Sequence, residues 1–153
     1  DRILHEFQRG LKLWGTCAGA ILLADTVVGE PSFFSLIDIE ILRNAFGSQL
    51  DSFVAEALIP RVAPDPMPLT FIRAPKITGA GRGVDVLLRL DGYIAAAESP
   101  GVLVTVFHPE LTPSLAFHRY FALKCGLTPS MHEETTLINS TWDSRSWTRY
   151  TRL

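Results

Sequence analysis

Hydrophobic and polar positions in this chain fall into short blocks. Ile3, Leu4 and Phe7 recur at helical spacing with charge on the other face, and Gly10 follows. This predicts an amphipathic helix stopped by glycine. Leu11 to Thr16 predicts a short strand, Cys17 to about Asp25 a helix, and Gly29 to Ser35 a loop. Leu36 to Leu42 interleaves isoleucine with Asp38 and Glu40 and predicts a strand; Arg43 to Ser48 is a polar turn, and Ser52 to Ile59 predicts another strand. Pro60, Pro64, Pro66 and Pro68 predict a surface connection. Leu69 to Arg73 is a strand stopped by Pro75, and Gly79 to Gly83 is a turn. Val84 to Leu90, Tyr93 to Ala97 and Val102 to Phe107 are strands, the first two joined through Asp91-Gly92, a hairpin signal. A last helix opens at Pro113 or Ser114 and ends near Gly126. Strands mixed with helices at both ends predict an α/β domain with a mixed sheet.

The ends read differently. A domain seldom opens in the middle of a helix, so the pattern at Asp1 predicts that an N-terminal piece is absent. From Ser140 the chain carries Trp142, Trp147, Arg145, Arg149 and Arg152 among serines and threonines, with no apolar period. The expected division is a domain over 1–139 and a divergent tail over 140–153, open to disorder or to a partner contact.

Composition narrows the class. With 153 residues, 47% of them hydrophobic and 20% charged, the chain has the make-up of one globular domain. A net charge of -2 argues against a broad nucleic-acid or anionic-membrane footprint. Two cysteines, Cys17 and Cys125, are too few for a disulfide scaffold or a four-cysteine zinc site. No apolar run approaches the roughly 18 residues that span a bilayer. The expectation is a cytoplasmic protein.

Two motifs carry chemistry. Gly15-Thr-Cys-Ala-Gly19 lies at a strand-to-helix junction. A nucleophile on such a turn needs small neighbours, and the following helix N-terminus favours a thiolate. The N–H of Ala18 points where an oxyanion would form. Phe107-His-Pro-Glu110 follows an apolar strand. His108 can act as base toward a thiol and as acid toward a leaving amine, and Glu110 can orient the imidazole. Each motif also has a structural reading: a buried cysteine beside a packing glycine, and a loop histidine with a solvated glutamate. His5, His118 and His132 read as structural, Cys125 as a core thiol, and one His-x-Glu pair supports no metal site. Arg43 and Arg73 suit carboxylate recognition or surface ion pairs.

Taken together, Gly15-Thr-Cys-Ala-Gly19, Arg43-Asn-Ala-Phe-Gly…Gln49-Leu-Asp-Ser-Phe53, Phe71-Ile-Arg-Ala-Pro75 and Phe107-His-Pro-Glu-Leu-Thr112 resemble, in this order, the glutaminase subunits of pyridoxal 5'-phosphate synthase, which are class I (triad) glutamine amidotransferases. G-x-C-x-G with H-P-E marks the wider superfamily; the Arg43 and Phe71 blocks resemble this subunit in particular. The resemblance covers roughly Gly10 to Gly126. It implies a three-layer, flavodoxin-like α/β fold with a mixed central sheet. It implies that Cys17, His108 and Glu110 are catalytic, that Ala18 is an oxyanion donor, and that Arg43, Ile72 (through its backbone) and Arg73 line a glutamine pocket. The implied substrate is L-glutamine and the implied partner is the synthase (lyase) subunit, with no cofactor, metal, nucleic acid or membrane. Such subunits carry an N-terminal strand and a P-G-G-E-S loop with a second oxyanion donor, which this sequence lacks; losing one such donor costs about 100- to 1,000-fold in rate. The alternative is an impaired, truncated paralogue that binds or regulates the synthase. A triad hydrolase with another acceptor is a third reading, against which the Arg43 and Phe71 blocks argue.

Overall fold

A computed structural model describes residues 2–43 and 52–129. The N-terminal pattern forms helix α1 (Arg2–Gln8), ended at Gly10 with φ 107°. Phe7 of α1 leans on Gly101, where any side chain would collide with its ring. The chain then enters strand β1 (Leu13–Thr16), helix α2 (Ala18–Leu23) and strand β2 (Ala24–Val27). The helix expected up to Asp25 is shorter: Ala24 already has extended dihedrals, and Thr26 and Val27 continue the strand. Their β-branched side chains favour the pleat over a helix.

Strands β3 (Ile37–Leu42), β4 (Phe53–Ala57) and β5 (Met67–Phe71) follow. β3 buries Ile37, Ile39 and Ile41 and exposes Asp38 and Glu40. β4 and β5 form a separate two-stranded antiparallel sheet. Pro68 therefore lies inside a strand, not in the connection before it; its partner Glu56 is on β4, and among the described residues no second strand pairs with β5 to need its missing N–H. Strand β6 (Lys76–Ala80) is one the pattern did not foretell: Pro75 and Gly79 hid it, yet Ile77 is fully buried between β3 and the later strand at Ile94. Strands β7 (Asp85–Leu90), β8 (Tyr93–Glu98) and β9 (Val102–Thr105) come next, then a 3-10 turn (Pro109–Leu111) and helix α3 (Ala116–Lys124). The β7–β8 hairpin turns at Asp91 and Gly92, both with positive φ, as a tight two-residue turn requires.

The main sheet has seven strands in the order β1-β9-β8-β6-β3-β2, with β7 paired to β8. β1–β9 and β2–β3 are parallel and the other pairs antiparallel, which makes the sheet mixed and the class α/β, as expected. β8 and β9 are buried throughout. The core continues through aromatic contacts: Phe53 stacks on Phe71 at 4.4 Å, Phe71 meets Phe107 at 5.5 Å, and Phe107 meets Phe117 of α3 at 5.3 Å.

The end of β8 places a carboxylate indoors. Glu98 is 4% exposed. It accepts from Tyr120 and pairs with Lys124 at 2.9 Å and Arg61 at 3.3 Å, which ties α3 and the proline-rich connection to the sheet. Burial, followed by the bond to Glu98, pushes the Tyr120 hydroxyl up to about 12. The described residues include no helix long and apolar enough to cross a membrane. Ser130 to Leu153, and with them the tail, His132 and the 139/140 boundary, lie outside the described residues, as do Asn44 to Asp51.

Candidate active site

β1 and β9 run parallel, with Thr16 in register with Thr105. Their carboxyl ends therefore open on the same edge of the sheet. Such an edge is where α/β sheets place their ligands. Cys17 leaves the end of β1 and His108 lies three residues beyond the end of β9. Parallel pairing is what brings two motifs 91 residues apart in sequence to one crevice.

Cys17 sits on a sharp turn with φ 48° and ψ -106°. A side chain in that region carries backbone strain of about 1–3 kcal/mol, a common feature of reactive residues held on turns. The two flanking glycines differ. A Cβ on Gly15 would lie 2.6 Å from the backbone of Gly19, so β1 and α2 approach this closely only because Gly15 has no side chain. A Cβ on Gly19 would meet nothing within 4 Å. The N–H of Cys17 donates to the carbonyl of Thr105 at 2.8 Å, and its Sγ lies 3.9 Å from the carbonyl oxygen of Ile72. Ala18 is the first residue of α2, so its N–H has no carbonyl behind it within the helix.

His108 is fixed from both sides. Its N–H donates to the carbonyl of Thr70 in β5 at 2.8 Å, and its Nδ1 lies 2.7 Å from Glu110 Oε1. Pro109, buried, stiffens the turn between them. The imidazole is raised to about 9, first through its hydrogen bond with Cys17, against the opposing effect of partial burial, and further by Glu110. A ring held in this way keeps its proton at neutral pH and presents it beside the sulfur.

Of the expected pocket residues, Ile72 reaches Cys17 through its backbone carbonyl. The next residue, Arg73, is exposed with φ 45°, a left-handed turn that redirects the chain after β5. Arg43, exposed at the end of β3, pairs with Glu30 at 3.3 Å. Among the described residues no hydrogen bond or ion pair joins Arg43 or Arg73 to Cys17 or His108. His118 is exposed and packs edge-on against Trp14 at 5.2 Å. Cys125, expected in the core, is exposed: it caps the end of α3, and Gly126 and Leu127 after it are exposed as well. Sequence reasoning missed Thr105 and Glu98. A polar residue ending an otherwise apolar strand was the available signal for both.

Comparison with known proteins bears on the family and the fold. The model of the SNO glutamine amidotransferase family matches residues 2–127. The chain is 56% identical over 147 residues to "Pyridoxal 5'-phosphate synthase subunit PdxT" of Syntrophus aciditrophicus, covering 96% of this chain and 66% of that protein. It is 51% identical over 122 residues to the protein of the same name in Clostridium botulinum, covering 79% and 63%. A solved structure titled "Crystal structure of glutamine amidotransferase" superposes with a TM-score of 0.76 at 38% identity, over 83% of this chain and 68% of that one. The chain thus spans about two thirds of the length of the curated relatives, 66% and 63% for these two. It belongs to the SNO glutamine amidotransferase family.

Proposed function

We propose that this chain hydrolyses L-glutamine to L-glutamate and ammonia as the glutaminase part of a pyridoxal 5'-phosphate synthase. His108 holds the proton given up by the Cys17 thiol, and the sulfur attacks the side-chain carboxamide carbon, so that an S–C bond forms as the carbonyl π bond opens onto oxygen. The N–H of Ala18 donates to the oxyanion. The intermediate collapses with loss of the C–N bond, and His108 delivers the proton that lets nitrogen leave as ammonia. The γ-glutamyl thioester is then attacked by water, whose proton passes to His108; the S–C bond breaks and glutamate departs. Glu110 holds the imidazole and offsets its positive charge. Arg43, Arg73 and the backbone of Ile72 hold the substrate. The ammonia goes to the synthase (lyase) subunit.

The observation that carries this reading is that two parallel strands bring Cys17 and His108 to one edge of the sheet, with Glu110 2.7 Å from the His108 ring and an imidazole raised by both Cys17 and Glu110. The description of the family supports glutamine as the substrate, and the names of the relatives support a place beside another subunit of a pyridoxal 5'-phosphate synthase. The test is glutamate release in the presence of the synthase subunit. Cys17→Ala should abolish it while the circular dichroism stays unchanged. Turnover that survives the substitution would end the proposal, and binding of the synthase without any turnover would favour the non-catalytic paralogue.

A further inference from the structure

Thr105 is wholly buried at the end of a strand that otherwise reads Val102-Leu103-Val104. A hydroxyl in such a place costs stability unless it is bonded. Valine has almost the same shape and would carry no such cost. The hydroxyl of Thr105 is instead used twice. It accepts from the indole Nε1 of Trp14 at 3.3 Å and donates to the carbonyl of Phe107 at 3.2 Å. The carbonyl of the same residue accepts the N–H of Cys17 at 2.8 Å.

These three bonds have a shared geometry. Trp14 is on the strand that ends at Cys17. Phe107 immediately precedes His108, so its carbonyl belongs to the peptide plane from which His108 departs. The bond from Thr105 and the donation of the His108 N–H to Thr70 at 2.8 Å hold that plane from its two edges, while the Val106 N–H, two peptides earlier, donates to Ala95 at 2.9 Å. We infer that Thr105 is a positioning residue, whose buried hydroxyl sets the separation of the Cys17 thiol and the His108 imidazole by clamping the two loop bases together. It touches neither substrate nor reacting atoms; it acts through the two residues that do. The inference rests on the glutaminase reading only where turnover is measured.

The experiment compares the parent protein with Thr105→Val, Thr105→Ser and Trp14→Phe. The first readout is the titration of the His108 ring by NMR, which needs no substrate. In the parent its midpoint is expected near 9. Thr105→Val should move it toward neutrality by about one pH unit, the equivalent of one ordinary hydrogen bond. Thr105→Ser, which keeps the hydroxyl, should restore the parent midpoint. Trp14→Phe, which keeps a ring and loses the indole N–H, should move it the same way by less. The second readout is glutamine turnover with the synthase present. Thr105→Val should lower kcat about tenfold with KM little changed, because a misplaced pair slows the chemistry more than it weakens binding. A His108 midpoint unmoved in Thr105→Val would overturn the inference. If that variant does not fold, an unmoved midpoint in Trp14→Phe would do so. A parent that ignores glutamine would instead sink the glutaminase reading and leave the titration to decide the role of Thr105.

Discussion

Raising the pH through 9 should weaken the fold through one residue. His108 is raised from 6.5 to about 9, first by its bond with Cys17 and then by Glu110. In the folded chain the ring therefore holds a proton that it releases more readily when unfolded. The native state binds more protons between these two values, so stability falls with rising pH across that window. The contribution is complete below pH 6.5, fades above it, and is gone above about pH 9. One pH unit of displacement corresponds to about 1.4 kcal/mol, which gives a ceiling of about 3 kcal/mol. The side chain is 20% exposed, so solvent screens part of its interactions. A loss of about 1–3 kcal/mol is expected. The assay is urea unfolding at pH 6 to 10 for the parent and for His108→Gln, followed by tryptophan fluorescence. Subtracting the two curves removes the other titrating groups. The difference should shrink as pH rises, with most of the change between neutrality and pH 9. A difference that stays flat, or grows with pH, would show that the imidazole is not held protonated and would refute the geometry of the Cys17–His108–Glu110 series.

Two further substitutions test the packing around it. Gly15→Ala places a methyl 2.6 Å from the backbone of Gly19 and should destabilise by about 3 kcal/mol, because backbone cannot swing away. Gly19→Ala has open space and lies in α2, so it should be neutral or stabilise by up to about 1 kcal/mol, a contrast that thermal melts of the two variants would resolve. Glu98→Ala removes the partner of the nearly buried Lys124 and should cost about 3 kcal/mol by chemical denaturation; a cost near zero would mean that the α3 clamp contributes nothing.

The parts of the fold that were legible in the sequence are those with strong local signals. Alternation marked β3, Asp91-Gly92 marked the β7–β8 turn, and the Pro113 region marked the start of α3. β6 was hidden because Pro75 and Gly79 bracket a single anchoring residue, Ile77, whose burial depends on neighbours distant in sequence. β2 was hidden because its residues continue a helical apolar run and change conformation only at Ala24. At the site, Cys17 and His108 were each visible as motifs, but their meeting rests on the parallel register of β1 and β9. Thr105 stood out only as a polar end to an apolar strand; what it does was not legible for the same reason, since its hydroxyl joins Trp14 to Phe107 only once that register exists. The exposure of Cys125 turned on where α3 ends, which spacing alone places within a turn or so.

Everything proposed for the site turns on Cys17 as a nucleophile aimed at the carboxamide of glutamine. Its most direct test is covalent labelling of this chain by a reactive glutamine analogue, with the synthase subunit present and the modified residue identified by peptide mass spectrometry. Labelling is expected at Cys17, with none at the exposed Cys125 and with protection by L-glutamine. Labelling at both cysteines alike, or at neither while a longer relative reacts under the same conditions, would contradict it.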